Sequence, residues 1–209
     1  AIPAGVAGAH RIFIRVPVHS GVSEDARKAG YSALYRETVY RSESAHSAIA
    51  SLGLPDHAFQ MRPKTKADDL ALFRMHNLTT PVEIRMKTGQ TSQDWIARTE
   101  QLGRKTSKWV LDLPGGEIGA LVERNSTHSG HMFSVNWSPE AGSELEGLVA
   151  VALADSKNVP TSAVVPDYRP ALSHLLVTLG FTEQAQHEVM VKPLAQTVAE
   201  AQQGFAAIS

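Results

Sequence analysis

Apolar and polar positions first alternate in "RIFIRVP", residues 11–17. Ile12, Ile14 and Val16 fall on one side of this period of two, Arg11 and Arg15 on the other, which predicts a half-buried strand. Pro17 has no N–H to offer a neighbouring strand and closes it. Ser23, Glu24 and Asp25 then supply cap-type and acidic residues for a short helix, and Gly30 stops it. "YSALYRETVYR" is aromatic and β-branched enough for a second strand. Gly53 and Pro55 mark residues 44–57 as a loop.

A longer unit follows. "AFQMRP" (58–63) is a candidate strand. Leu70, Phe73 and either His76 or Asn77 recur at helical spacing in "KADDLALFRMHNL". "TSQDWIARTEQLG" starts a second helix on Thr91 or Ser92 and ends it at Gly103. Two strand-like runs flank Pro114-Gly115-Gly116, a hairpin signature. "HMFSVNW" (131–137) reads as a strand, "GSELEGLVAVALADSKN" as a helix capped at Ser143, and "TSAVVP" (161–166) as a strand. "RPALSHLLVTLG" is a helix with Pro170 near its first turn, and a long strand closes the unit at 193. In the tail, 194–209, Leu194, Val198, Ala201, Phe205 and Ile208 are spaced for an amphipathic helix interrupted by Gly204. The order predicts an α/β (α+β) protein, a mixed sheet flanked by helices on both faces. It divides the chain into 1–44, 57–193 and 194–209.

Composition narrows the function classes. A net charge of −1 and a pI of about 6.8 argue against a basic nucleic-acid surface. No stretch approaches the roughly 18 apolar residues of a membrane span, and no charged-then-apolar leader is visible, so the expected location is cytoplasmic. The absence of Cys removes disulfides, thiolate nucleophiles and thiolate metal sites together. His128 and His131 have no acid placed to complete a zinc triad. Gly115, Gly116 and Gly119 lie inside a hairpin, not between strand and helix, and are no dinucleotide fingerprint. Arg62, Lys64 and Lys66 read as a solvated basic loop, and Trp95, Trp109 and Trp137 as core or interface.

The stretches "SAVVPDYRPALSHLLVTLGF" and "HEVMVKPL", with the hairpin and strand before them, resemble the GNAT acetyltransferase superfamily over roughly residues 57–193. The N-terminal piece resembles a partial second copy: Val16-Pro17 matches Val165-Pro166, Gly30-Tyr31 matches Gly180-Phe181, and Val39 matches Val189. "AIPAGVAGAH" then reads as the end of the helix preceding such a copy. A strand–helix–strand fragment left unpaired invites aggregation, so it is expected to add strands to a sheet, within the chain or across a homodimer.

The resemblance implies acetyl-CoA as cofactor and a small-molecule or peptide amine as acceptor. It places the cofactor between two parting strands, with Phe133, Ser134 and Val135 along the acyl group and Ala141, Gly142 and Ser143 at the pyrophosphate. Only Gly142 and Gly147 survive of the family's glycine-rich phosphate loop, and Glu140, Glu144 and Glu146 stand where it has a basic residue. The same acids suit a plain helix start. The family's acid, a Tyr in the last helix, corresponds to Leu176 here and to Ala26 in the partial copy. Tyr168 is the substitute candidate. Glu117, Glu123 and His131 are candidates for a general base. Two functions stay open: acetyl transfer to an amine, or a fold kept for binding or assembly without catalysis.

Overall fold

The computed structural model describes residues 11–44, 52, 61–97, 105–154, 156 and 159–194. Strands β1 (Arg11–Pro17) and β2 (Ser32–Ser42) bracket helix α1 (Val22–Lys28). After β3 (Met61–Pro63) come α2 (Asp69–Thr79), α3 (Val82–Thr88) and α4 (Ser92–Ala97). Strands β4 (Lys105–Asp112), β5 (Ile118–Thr127) and β6 (Gly130–Trp137) follow. A 3₁₀ turn (Pro139–Glu144) leads into α5 (Leu145–Leu153). Then come β7 (Thr161–Pro166), α6 (Pro170–Thr178) and β8 (Thr182–Pro193). The helix expected over 194–209, the helix end expected before residue 11 and most of the loop expected over 44–57 lie outside the described residues.

Among the described residues eight strands form one sheet, in the order β1-β8-β2-β7-β6-β5-β4-β3. The N-terminal strands are thus not a separate layer: β2 lies between β7 and β8, and β1 covers the far edge of β8. The β2–β8 ladder reads the same from both ends. Outward from Glu37↔His187, Arg36↔Glu188 answers Thr38↔Gln186, Tyr35↔Val189 answers Val39↔Ala185, and Ser32↔Val191 answers Arg41↔Thr182. Its two irregularities, between Ala33 and Tyr35 and between Val39 and Tyr40, fall one on each side. The flanking strands follow suit, with His187 opposite Pro17 on β1 and Glu37 opposite Pro166 on β7. Helices α1 and α6 also end alike: Gly30 N–H and Tyr31 N–H bond back to Arg27 and Ala26, as Gly180 and Phe181 do to Val177 and Leu176.

Two packed layers flank the sheet. Phe133, Val165, Leu148, Leu153, Leu172 and Leu176 join the sheet to α5 and α6, each at most 2 % exposed. Burying such a side chain contributes about 1.5–3 kcal/mol. On the opposite face Leu72 and Met75 of α2 meet Val110 and Leu121. Local signals fare unevenly. Thr91 caps α4 through a reciprocal box, its hydroxyl accepting from Asp94 N–H while the Asp94 carboxylate accepts from Thr91 N–H. Ser143 is no cap: it lies in the 3₁₀ turn, and α5 starts after Glu144 with no side-chain cap bond. The basic loop at Arg62 is not simply solvated either. Arg62 ties β3 to Asp68 and Asp112, and its guanidinium holds the Asp68 carboxyl well below the usual carboxylate range.

Candidate functional site

Strands β6 and β7 run parallel and pair only at His131↔Thr161, Met132↔Ser162 and Phe133↔Ala163. Beyond that point each keeps its outer partner. β6 stays on β5 as far as Trp137, and β7 stays on β2 as far as Pro166. The two strands therefore part after Phe133 and Ala163, each still held straight by a full ladder. Ser134 to Trp137 and Val164 to Pro166 line the two sides of the gap without pairing to one another.

The gap opens on a chamber of about 700 Å³ between the sheet and helices α2 to α4. Period-two alternation decides which strand residues look into it: Ser134 and Asn136 of β6, Glu123 and Asn125 of β5, Lys108 of β4, and on the other side Val164, Glu37, His187 and Arg15. Lys108 Nζ lies 2.5 Å from Glu123 Oε1, and the Ser134 hydroxyl donates to Glu123 Oε2 at 3.5 Å. Arg15 Nε donates to Glu37 Oε1 at 2.6 Å, and the Glu37 side chain is 4 % exposed. His187 Nδ1 is buried with no hydrogen-bond partner among the described residues.

Tyr168 follows β7 and lines the chamber, edge-on to Tyr35 at 5.5 Å between ring centres. It hydrogen-bonds Thr80, and burial raises its phenol above the ordinary range. The Thr80 hydroxyl is 3.2 Å from His76 Nδ1. Burial pushes the His76 imidazole down to about 4, with the positive charges of Arg169 and Arg85 adding to the effect. A neutral imidazole, a buried hydroxyl and a protonated phenol thus form one chain along the chamber wall.

The other predicted residues are scattered. His131 sits at the closed end of the β6–β7 pair, its N–H on Pro160 O at 2.8 Å, and does not line the chamber. Glu117 is exposed in the hairpin turn. Ala141 is wholly buried and its N–H already serves Ser138 O, whereas Gly142 and Ser143 are exposed and Gly142 faces open space. Glu140 and Glu146 are exposed at the same turn, and the Ser138 hydroxyl lowers the Glu140 carboxyl. Leu176 is wholly buried in the core. Arg169, which precedes α6, reaches across to the end of β6. Its guanidinium stacks 4.5 Å above the Trp137 ring and donates to Trp137 O at 3.1 Å.

Sequence reasoning missed Glu37, His187 and Arg15. Each sits in a strand recognised as such, but no local signal says that β2 will lie next to β7. His76 had only a faint signal, as a polar residue at helical spacing with Leu70 and Phe73, and Thr80, the extended residue that ends α2, had none.

Neither a family model nor a curated protein matches the sequence. Solved structures do match in fold. A functionally unknown conserved protein from Staphylococcus epidermidis superposes with a TM-score of 0.59 at 13% identity, over 90% of this chain and 74% of that one. A GCN5-related N-acetyltransferase from Anabaena variabilis gives 0.53 at 12% identity, over 89% of this chain and 46% of that one. A putative acetyltransferase of the GNAT family from Novosphingobium aromaticivorans gives 0.51 at 13%, over 92% and 80%. The chain thus spans less than half of the Anabaena protein. Its fold is that of the GNAT acetyltransferases, in a divergent form.

Proposed function

We propose that this chain is an acetyltransferase-like protein that takes acetyl-CoA into the gap between β6 and β7 and presents its acyl group to an amine in the chamber. The observation that carries the reading is the parting of β6 from β7 immediately beside that chamber. Past Phe133 the β7 side of β6 is free of strand pairing, so the Val135 N–H, which faces that side as the His131 N–H does, can polarise a thioester carbonyl. The amine nitrogen forms a bond to the carbonyl carbon as the carbon–sulfur bond breaks. A carboxylate bordering the gap, Glu123 beside Ser134 or Glu37 opposite Pro166, takes the amine's proton, and Tyr168 supplies one to the departing thiolate. The exposed Gly142 and Ser143 border the pyrophosphate, with the buried Ala141 beneath them. GNAT-fold proteins generally bind acetyl-CoA, which supports the choice of carrier.

The proposal extends to the N-terminal segment, read as a partial copy of 161–193 that has exchanged a strand with the main domain. The two-fold pattern of the β2–β8 ladder supports this.

Thermal unfolding with CoA and acetyl-CoA tests the carrier. A ligand at a hundred times its dissociation constant stabilises by about 2.7 kcal/mol, a rise of about 5–10 °C for a chain of this size. An unchanged midpoint at millimolar CoA sinks the proposal.

Leu176, buried at the position of the family's acid, and the acidic turn at Glu140 and Glu146 favour a second reading, in which the fold binds without catalysing. Saturable acetyl transfer to any amine overturns it.

A further inference from the structure

Among the described residues, the charged ones of the chamber wall are Arg15, Glu37, Lys64, Asp69, Lys108 and Glu123. All six are consumed in three internal pairs, Arg15 with Glu37, Lys64 with Asp69, and Lys108 with Glu123. The described part of the wall therefore carries no net charge. It does carry an ordered polarity. From the gap outward in one direction come β7, then Glu37 on β2, then, beyond β8, Arg15 on β1. In the other direction come Ser134 on β6, Glu123 on β5 and Lys108 on β4. The carboxylates stand nearer the gap on both sides, and their cations stand further out.

We infer that the chamber takes a zwitterionic amine, an amino acid carrying its own carboxylate, with the ammonium turned toward the gap and the carboxylate outward. The inference deepens the reaction assigned above and rests on it for the identity of the acceptor, though not for binding itself. A plain monoamine on Glu37 would put two cations, its own ammonium and Arg15, on one carboxylate and leave the cluster with an unmatched positive charge. A diamine would leave two cations unmatched and would meet Arg15 or Lys108 with charge of the same sign. A zwitterion inserts into an existing pair with its ammonium on Glu37 and its carboxylate on Arg15, so every charge keeps a partner. The Arg15–Glu37 pair suits this better than Lys108–Glu123. Glu37 is opposite Pro166, where β7 borders the gap, and the Arg15 side chain is 45% exposed and able to turn toward a ligand. A planar guanidinium also matches a carboxylate better than an ammonium does. Beside the pair, the buried His187 Nδ1 has no partner among the described residues, and a ligand ammonium would supply one. Leu72, Met75 and Trp95 on the helix side favour an apolar side chain.

Calorimetric titration of the full chain, without CoA, tests this with matched probes: L-phenylalanine against 2-phenylethylamine, and L-lysine against 1,5-diaminopentane. The expected result is that each amino acid binds at least tenfold more tightly than its decarboxylated counterpart. Arg15→Gln is expected to bring the two to parity with an unchanged circular dichroism spectrum, while Lys108→Gln leaves the preference in place. Equal or tighter binding of the decarboxylated amines, a preference that survives Arg15→Gln, or no binding of any probe overturns the inference. Titration with acetyl-CoA is read separately. Amino-acid binding without acetyl-CoA binding would sink the transfer reaction and leave this assignment standing. Acetyl-CoA binding with a preference for plain amines would do the reverse.

Discussion

His76 shows how one residue's burial becomes a pH dependence. Its imidazole titrates near 6.5 when exposed and at about 4 in the fold. Between those values the unfolded chain binds the proton and the folded chain does not. The neutral form's stability is therefore fully present above pH 6.5 and is lost as the pH falls toward 4. More than two pKa units correspond to about 3 kcal/mol. Urea unfolding at pH 7 and pH 4.5 should show a loss of that order, and His76→Gln should flatten the difference; equal pH slopes in the two proteins would show that His76 does not carry it. Tyr168 belongs to the same scale. As the acid of the proposed reaction, Tyr168→Phe is expected to lower kcat about 10²-fold with KM for acetyl-CoA little changed. A fall in KM-corrected affinity alone would make it a wall residue. Leu176, at the position of the family's acid, is wholly buried in the core. Leu176→Ala should cost about 2–5 kcal/mol in chemical denaturation.

At the scale of elements, the gap depends on where β6 and β7 begin to pair. Gly130 opens β6 at φ 137°, and a Cβ placed there would stand 2.0 Å from Pro160 O, the acceptor of the next N–H. Gly130→Ala must push the β7 approach away from β6. The expected cost is at least about 2 kcal/mol, together with faster amide exchange at Met132 and Phe133. Wild-type exchange at those amides would contradict this account of the pairing. The elements themselves were largely readable from pattern, because each is decided by residues close in sequence. The hairpin at Pro114-Gly115-Gly116, the Thr91 box and the stop at Gly180 are all local. The expected cap at Ser143 fails for a local reason too: Pro139 and the following residues favour a tighter turn that delays α5 to Leu145.

At the scale of the molecule, β1 and β2 are part of the sheet that holds the gap open. Deleting residues 1–43 would strip β2 from the ladder that keeps β7 straight and would bare both β7 and β8. The product is expected to elute as aggregate in size-exclusion chromatography and to lose cooperative unfolding. A monomeric, cooperatively folding truncation would show that β2 is dispensable. The sequence alone determined the kinds of element, their order and the apolar faces they would bury, since a period of two or of 3.6 is written in neighbouring residues. It also carried the missing phosphate-loop cation and the Leu at position 176. Only the tertiary structure decided that β2 would lie between β7 and β8. That register sets Glu37 and Arg15 beside a gap whose other side is built more than eighty residues later, from Glu123 and Ser134 of β5 and β6 on. Pairing over such separations depends on the combined fit of many side chains, and no short stretch of the chain encodes it.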